Sequence, residues 1–183
     1  MLRPFFKPKS VAIIGASTDP IKLGYTVVQN MVECGYPGKI YPINPKADQI
    51  LGVKAYPSVK DIPDEVELGV IVIPATAVNA ALKECGEKGI HHVIVISAGF
   101  RETGAEGIER ERELKRIAKE YSIRIIGPNV LGVIDTFTPC NASFSAGTPK
   151  PGPMAFMSQS GALGTAVLDL AIAGRIGISK FCL

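Results

Sequence analysis

Short aliphatic and β-branched runs alternate along this chain with longer stretches whose apolar positions recur every three or four residues. KSVAIIG at residues 9–15 reads as a first strand, 23–34 as a helix, 39–43 as a second strand and 68–73 as a third. Residues 77–88 read as the next helix, 92–97 as a fourth strand, 105–121 as a charged amphipathic helix and 124–126 as a fifth strand. Strands alternating with crossovers of this length predict an α/β fold built on a doubly wound parallel sheet. The strands are almost continuously apolar, as expected where both faces of a parallel sheet are covered.

After Gly127-Pro128-Asn129 the pattern changes. Residues 135–153, DTFTPCNASFSAGTPKPGP, show no lasting periodicity and read as a connecting segment. A strand restarts at 154–157, residues 158–160 turn, 161–173 form a helix, and 179–183 begin another strand. The expected division is a complete domain at 1–134, a connection at 135–153, and the first β-turn-α unit of an incomplete second α/β domain at 154–183. A unit that small does not fold alone, so its remainder is expected outside this chain.

Composition narrows the class. Of the 183 residues, 46% are hydrophobic and 20% charged, the balance of a soluble globular protein. The apolar runs are far shorter than the roughly 20 residues of a membrane helix. The first nine residues have no apolar core before a small-residue cleavage site, and Pro4 and Pro8 should interrupt a helix there, so a cytoplasmic protein is expected. The four cysteines form no Cys-x-x-Cys pair, which points to buried thiols and away from a zinc site or disulfide framework. A net charge of +3 with scattered basic residues gives nucleic-acid binding no support, yet suits a small anionic ligand. His91 and His92, the only histidines, are neighbours at a strand start, where adjacent side chains face opposite ways; metal ligation is not expected.

In an open parallel sheet, ligands bind beyond the carboxyl ends of the strands. The first strand is followed by Gly15-Ala-Ser17-Thr18-Asp-Pro-Ile-Lys22-Leu23-Gly24, a small polar loop feeding a helix, and backbone amides at a helix start favour phosphate. The dinucleotide pattern G-x-G-x-x-G is absent. Where an NAD enzyme carries an acidic residue after its second strand, this chain has Asn44-Pro45-Lys46. A lysine there pairs with the phosphate of a phosphorylated ribose, so NADP or coenzyme A fits better than NAD. Lys46 taken alone reads better as a solvated loop residue. Ile73-Pro74-Ala75, Ser97-Ala98-Gly99 and Gly127-Pro128-Asn129 end the later strands with small turn residues on the same edge.

KSVAIIGAS, the Asn-Pro-Lys turn, VIVIPA, ISAGF, RIIGPNVLGV and FMSQSGALG follow one another as in the ADP-forming acyl-CoA synthetases, the acetate–CoA ligases, which the whole chain resembles. It is similar, more distantly, to the succinyl-CoA synthetase α subunit. The resemblance implies a Rossmann-like CoA-binding domain followed by a flavodoxin-like domain that carries a transiently phosphorylated histidine. It implies that Gly15, Ser17, Thr18, Lys22, Leu23 and Gly24 hold the CoA phosphates and that Asn44, Pro45 and Lys46 hold the phosphorylated ribose. It further implies that Ile73, Pro74 and Ala75 line adenine and pantetheine, that Ser97, Ala98 and Gly99 meet the pantetheine arm, and that Asn129 lies near the thiol. Ser158, Gln159, Ser160 and Gly161 match the turn that receives the phosphate. The bland reading of Ser160 is a helix N-cap worth about 1 kcal/mol.

The implied reaction converts acyl-CoA, ADP and phosphate into acid, ATP and CoA. An acyl phosphate forms first, and its phosphoryl group passes through the histidine to ADP. No catalytic residue is expected in this chain: neither histidine lies near Ser158, so the phosphorylated one is expected beyond Leu183. Mg²⁺ and ADP or ATP are expected only on domains not contained here, with an ATP-grasp β subunit or fused domain as partner in an oligomer. Two positions depart from relatives. Val130 stands where a cysteine is frequent, so no thiol is needed there for the chemistry; Thr165 stands where succinyl enzymes have tyrosine, which favours a smaller or more apolar acid than succinate. The competing readings are a stand-alone CoA-binding or regulatory module, which would end near residue 140, and an NADP-dependent reductase, which would show a tighter glycine loop.

Overall fold

A computed structural model describes residues 2–183. The chain opens with a one-turn helix α1 (Arg3–Phe6), strand β1 (Ser10–Ile14), helix α2 (Leu23–Glu33) and β2 (Lys39–Ile43). A small hairpin of β3 (Gln49–Ile50) and β4 (Val53–Lys54) follows, then a 3-10 turn at Val59–Asp61, β5 (Leu68–Ile71), α3 (Ala75–Glu87) and β6 (His92–Val95). Next come a 3-10 turn at Arg101–Thr103, α4 (Ala105–Glu120), β7 (Arg124–Ile126), β8 (Gly132–Asp135) and β9 (Cys140–Ser143). The last elements are β10 (Pro151–Met157), α5 (Gly161–Ala173) and β11 (Ile178–Cys182).

The main sheet has the order β2-β1-β5-β6-β7 and every pairing in it is parallel. Chain direction across the sheet reverses between β1 and β5, which makes the gap above their carboxyl ends the switch point where such sheets bind ligands. Alternation along the buried strands explains the double winding. Ala12, Ile14, Ile71, Val93 and Val95 pack with Val78 and Leu82 of α3 and Leu114 and Ile117 of α4. Val11, Ile13, Val70 and Ile94 point the other way, against Phe5 of α1 and Val27, Val28 and Met31 of α2. Both faces are thereby removed from water.

Five sequence expectations change. The third and fourth strands end at Ile71 and Val95, two residues earlier than the apolar runs suggest, and Pro74 becomes the N-cap of α3 with Ala75 inside the helix. Pro4 does not break a helix: it lies in the first turn of α1, where its missing N–H has no intrahelical partner to lose. The β3–β4 hairpin is an addition, too short to show a period. β10 begins at Pro151 and β11 at Ile178.

The fifth change is the largest. Residues 135–153 contain β9, which pairs antiparallel with β8 from Gly132↔Ser143 to Asp135↔Cys140. These strands belong to a second sheet, β10-β11-β8-β9, in which β11 runs parallel to β10 and antiparallel to β8. All four residues of β9 are buried, although two of them are polar. Asn30 of α2 explains how: its Nδ2 donates to the carbonyls of Ser143 and Ser145, each at 2.9 Å. The Asn141 side chain accepts from Ser143 Oγ at 2.5 Å and donates to Thr148 Oγ1 at 2.7 Å. Polar groups that satisfy one another can be buried without an apolar pattern in the sequence.

Candidate functional site

Four neighbouring concavities lie along the carboxyl edge of the main sheet and on to the start of α5. The central one, 640 Å³, opens above the switch point. From the first loop it takes Gly15, Lys22, Leu23 and Gly24, and from the ends of β5 and β6 it takes Ile73, Pro74, Ser97 and Ala98. Asn129 and Gly161 close its far side.

The first loop is built by its own side chains. Ser17 Oγ accepts from the Asp19 N–H and Asp19 Oδ1 from the Ile21 N–H, both at 3.0 Å. Lys22 then caps α2 in an extended conformation, with no side chain capping the helix and no acidic residue in its first turn. The positive end of the helix is therefore left for an external anion. Gly24 permits this geometry: a Cβ there would lie 1.9 Å from the Gly15 carbonyl oxygen.

At the second strand Asn44 makes two bonds of 2.8 Å. Its Nδ2 donates to the Ala16 carbonyl and its Oδ1 accepts from the Lys46 N–H. The turn is thereby tied to the first loop, and Lys46 is delivered to an outer concavity of 730 Å³ with Ser17, Thr18, Lys22 and Asn44. A third, smaller slot of 200 Å³ touches both: it shares Gly15 and Ile73 with the central cavity and Asn44 with the outer one, and it adds Pro45. Apolar Ile14, Ile43, Pro57 and Val59 line it, with Ser58 and Glu84 at one end joined by a hydrogen bond of 3.1 Å.

The ends of β5 and β6 are bridged by one hydroxyl. Ser97 Oγ donates to the Ile73 carbonyl at 2.5 Å and accepts the Ile73 N–H at 3.2 Å, and its carbonyl accepts the Asn129 N–H at 3.0 Å. Ser97 is thus a brace for the cavity wall. Gly99, at φ +105°, turns the chain away; its N–H donates to Glu102 Oε1 at 2.7 Å and its carbonyl accepts from Arg110. Burial works against the charge on Glu102, and the N–H groups of Gly99, Glu102 and Phe100 outweigh it, holding that carboxyl below its ordinary range.

A fourth concavity, 840 Å³, takes Ser158, Gln159 and Gly161 together with Asn129. It shares Asn129, Val130, Gly161 and Leu183 with the central cavity. Ser160 stands beside it as the N-cap of α5, its Oγ accepting from the Leu163 N–H at 3.4 Å, while Ser158 Oγ accepts from the Ser160 N–H at 3.0 Å.

Seventeen of the twenty residues singled out in the sequence line one of these four cavities. Gly99, Ala75 and Ser160 do not: Gly99 turns the chain after β6, Ala75 begins α3, and Ser160 caps α5. Sequence reasoning missed Phe144, Lys54, Arg101 and Glu111. Phe144 sits in the stretch read as a connection, and Lys54 on the unseen hairpin. The acidic residue Glu111 is on the helix read as charged and amphipathic; hydrogen-bonded to Lys115 and paired with Arg101, it is held below the ordinary carboxylate range. His91 Nδ1 lies 3.1 Å from the Tyr121 carbonyl, and the His92 ring meets Phe5 edge-on at 5.2 Å. Among the described residues no three His, Cys, Asp or Glu side chains come together as a metal site, and no helix is long and apolar enough to cross a membrane.

These cavities coincide with a known family. The model of the CoA binding domain matches residues 9–136. The α subunit of an ADP-forming acetate–CoA ligase II from Pyrococcus furiosus is 51% identical over 181 residues, 99% of this chain and 39% of that one. A crystal structure from Pyrococcus horikoshii OT3 superposes with a TM-score of 0.95 at 52% identity, covering 100% of this chain and 41% of its own. The dinucleotide-forming acetyl-coenzyme A synthetase 1 of Ca. Korarchaeum cryptofilum, solved with phosphate and ADP, superposes with a TM-score of 0.95 at 41% identity, over 100% of this chain and 39% of its own. The chain thus spans about two fifths of the length of these relatives. With the family model matched over most of its length and most of the switch-point cavity built from the matched segments, this chain belongs to the CoA binding domain family.

Proposed function

We propose that this chain is the CoA-binding part of an acid–CoA ligase that interconverts acyl-CoA, ADP and phosphate with acid, ATP and CoA. The observation that carries the reading is the chain of three connected cavities above the switch point. CoA has four chemically distinct parts, and the three cavities between them offer an environment for each. The uncapped start of α2 with Lys22 suits the pyrophosphate, and the wall of Ile73, Pro74, Ser97 and Ala98 suits the pantetheine arm. The apolar slot at Pro45 suits adenine, and Lys46 in the outer cavity suits the ribose phosphate. The thiol end then reaches Asn129 and Val130, next to Ser158, Gln159 and Gly161.

The second part of the reading concerns phosphate. The start of α5 has no acidic residue in its first turn, and Ser158, Gln159, Ser160 and Gly161 present hydroxyls and amides there. In phosphoryl transfer the protein mainly positions the group and balances its charge, and such a turn does both without a cation. Thr165 at the junction favours a small or apolar acyl group. The phosphorylated histidine, the ATP-grasp part with Mg²⁺ and the nucleotide, and the completed second domain beginning near residue 154 belong on sequence additional to this chain. The coverage of relatives supports that division. The complete enzyme is proposed to be cytoplasmic and oligomeric.

Calorimetric titration of chain 1–183 with CoA, dephospho-CoA, NADP and NAD tests the reading. CoA is expected to bind most tightly, and Lys46→Ala to weaken CoA more than dephospho-CoA. Binding of NADP without CoA would replace this proposal with the reductase reading.

A further inference from the structure

The outer cavity has a wall that the strand ends do not supply. Its far side is the β3–β4 hairpin, which contributes Gln49, Gly52 and Lys54. Three lysines on three separate segments therefore surround this one concavity: Lys22 at the start of α2, Lys46 on the turn after β2, and Lys54 on β4. Among the described residues none of the three is in an ion pair, although eight such pairs occur elsewhere. Asp19 and Asp48 also line the cavity, but Asp19 Oδ1 already accepts a backbone N–H.

The hairpin is anchored so that Lys54 has to face this way. Ile50 is 1% exposed and Ala55 7% exposed, and both pack into the core beneath α2. Side chains alternate along a strand, so fixing Ile50 and Ala55 inward turns Gln49 and Lys54 outward as a cross-strand pair. The Ala55 N–H donates to the Asp48 carbonyl and the Asn44 N–H to the Tyr56 carbonyl, each at 2.9 Å, which locks the hairpin to the turn that carries Lys46. Lys54 Nζ itself lies 5.1 Å from the centroid of the Tyr56 ring, a cation–π contact that limits its rotamers. Tyr56 in turn meets Tyr41 edge-on at 5.8 Å.

Resting on the CoA reading above, we infer that Lys54 is a specificity-determining residue: with Lys46 it clamps the ribose phosphate and so makes the β3–β4 hairpin the element that distinguishes CoA from dephospho-CoA. Two cations lining one cavity suit a dianion better than one, because each can donate to a different phosphate oxygen. The pyrophosphate is served by Lys22 and the start of α2, so loss of Lys54 leaves that part of the site intact. A role confined to the ribose phosphate predicts a ligand-specific effect, which a merely structural lysine does not produce.

The test is calorimetry on chain 1–183 as wild type, Lys54→Ala and Lys54→Arg, each with CoA and with dephospho-CoA at low and at physiological salt. Lys54→Ala is expected to weaken CoA about three- to tenfold, the range for losing one charge-assisted contact at a solvated site. Dephospho-CoA affinity should not move, which also shows that the variant is folded. Lys54→Arg should recover most of the loss, and the wild-type preference for CoA should shrink as salt rises. Equal weakening of both ligands, or no change in their ratio, overturns the inference while leaving the CoA reading in place. Failure of the wild-type chain to bind CoA overturns the CoA reading and this inference with it.

Discussion

Gly24→Ala is the sharpest test of how the first loop is held. The added Cβ would lie 1.9 Å from the Gly15 oxygen, 2.9 Å from its carbonyl carbon and 3.2 Å from the Ala16 Cα. Ordinary contact begins at 3.4 Å, so loop and helix have to part by about 1.5 Å, the difference between 3.4 and 1.9 Å. All three opposing atoms are backbone, and the loop has nowhere to retreat. The Gly15 N–H is bonded to the Ile43 carbonyl at 3.2 Å, and the space a Gly15 Cβ would need already holds Ile73 Cγ2 at 2.5 Å. Ala16 is held through the Asn44 bond to its carbonyl.

Alanine gains about 1 kcal/mol of helix propensity over glycine, whereas overpacking of this kind costs about 1–3 kcal/mol. A net loss of up to about 2 kcal/mol corresponds to a Tm up to about 8 °C lower for a chain of this size. The amides at the start of α2 also leave the hydrogen-bonding range of roughly 2.7–3.2 Å from any anion they hold, so CoA affinity should fall at least about tenfold. Gly161→Ala is the control, because at Gly161 a Cβ meets nothing within 4 Å; its Tm should hold or rise. Thermal melts and CoA titrations of the two variants decide the matter. A Gly24→Ala chain with an unchanged Tm and unchanged CoA affinity would refute the reasoning.

Leu51 sits at φ +50° in the β3–β4 turn, a conformation that favours Gly or Asn, and 39% of it is exposed; Leu51→Asn should raise the unfolding free energy by about 0.5–1 kcal/mol, measured by urea titration. Cys85 and Cys140 are buried and their thiols are pushed up to about 12 by desolvation, while partly buried Cys34 and Cys182 are raised by the same cause. A thiol reagent at pH 8 should therefore label the native chain slowly and all four cysteines at once in denaturant. Glu111, bonded to Lys115 and Arg101, is depressed from its ordinary 4.5. Its contribution to stability is present above that value and is lost as pH falls through the lower folded-state value. Denaturant midpoints from pH 6 to pH 3 should fall, and Glu111→Gln should show a shallower fall.

The main sheet was legible because its strands are apolar on both sides and its helices are long enough to show a period. β2 and β7 match the sequence reading at both ends, and α4 differs from it only by Tyr121, its C-cap. The loop residues were legible for a different reason: Gly24, Asn44 and Pro74 are types that only particular turns require. What stayed hidden was structure whose stabilisation leaves no period. β9 is buried with Asn141 and Ser143 in it, because Asn30, 111 residues before Asn141 in sequence, supplies partners to the adjoining backbone. The β3–β4 hairpin has two residues per strand, below any window that could reveal it. Lys54 could have been suspected only by asking what lies beside Lys46 in space.

The partition formed by Asn129 and Val130 belongs at once to the central cavity and to the one beside Ser158. A partition has no private side. Enlarging one chamber at these two positions reshapes the other, so a designer who alters Val130 to widen the central cavity also changes the cavity beside Ser158. Among natural relatives, exchange at position 130 should accordingly be accompanied by compensating change at 158–161, as two tenants adjust to the same moved wall.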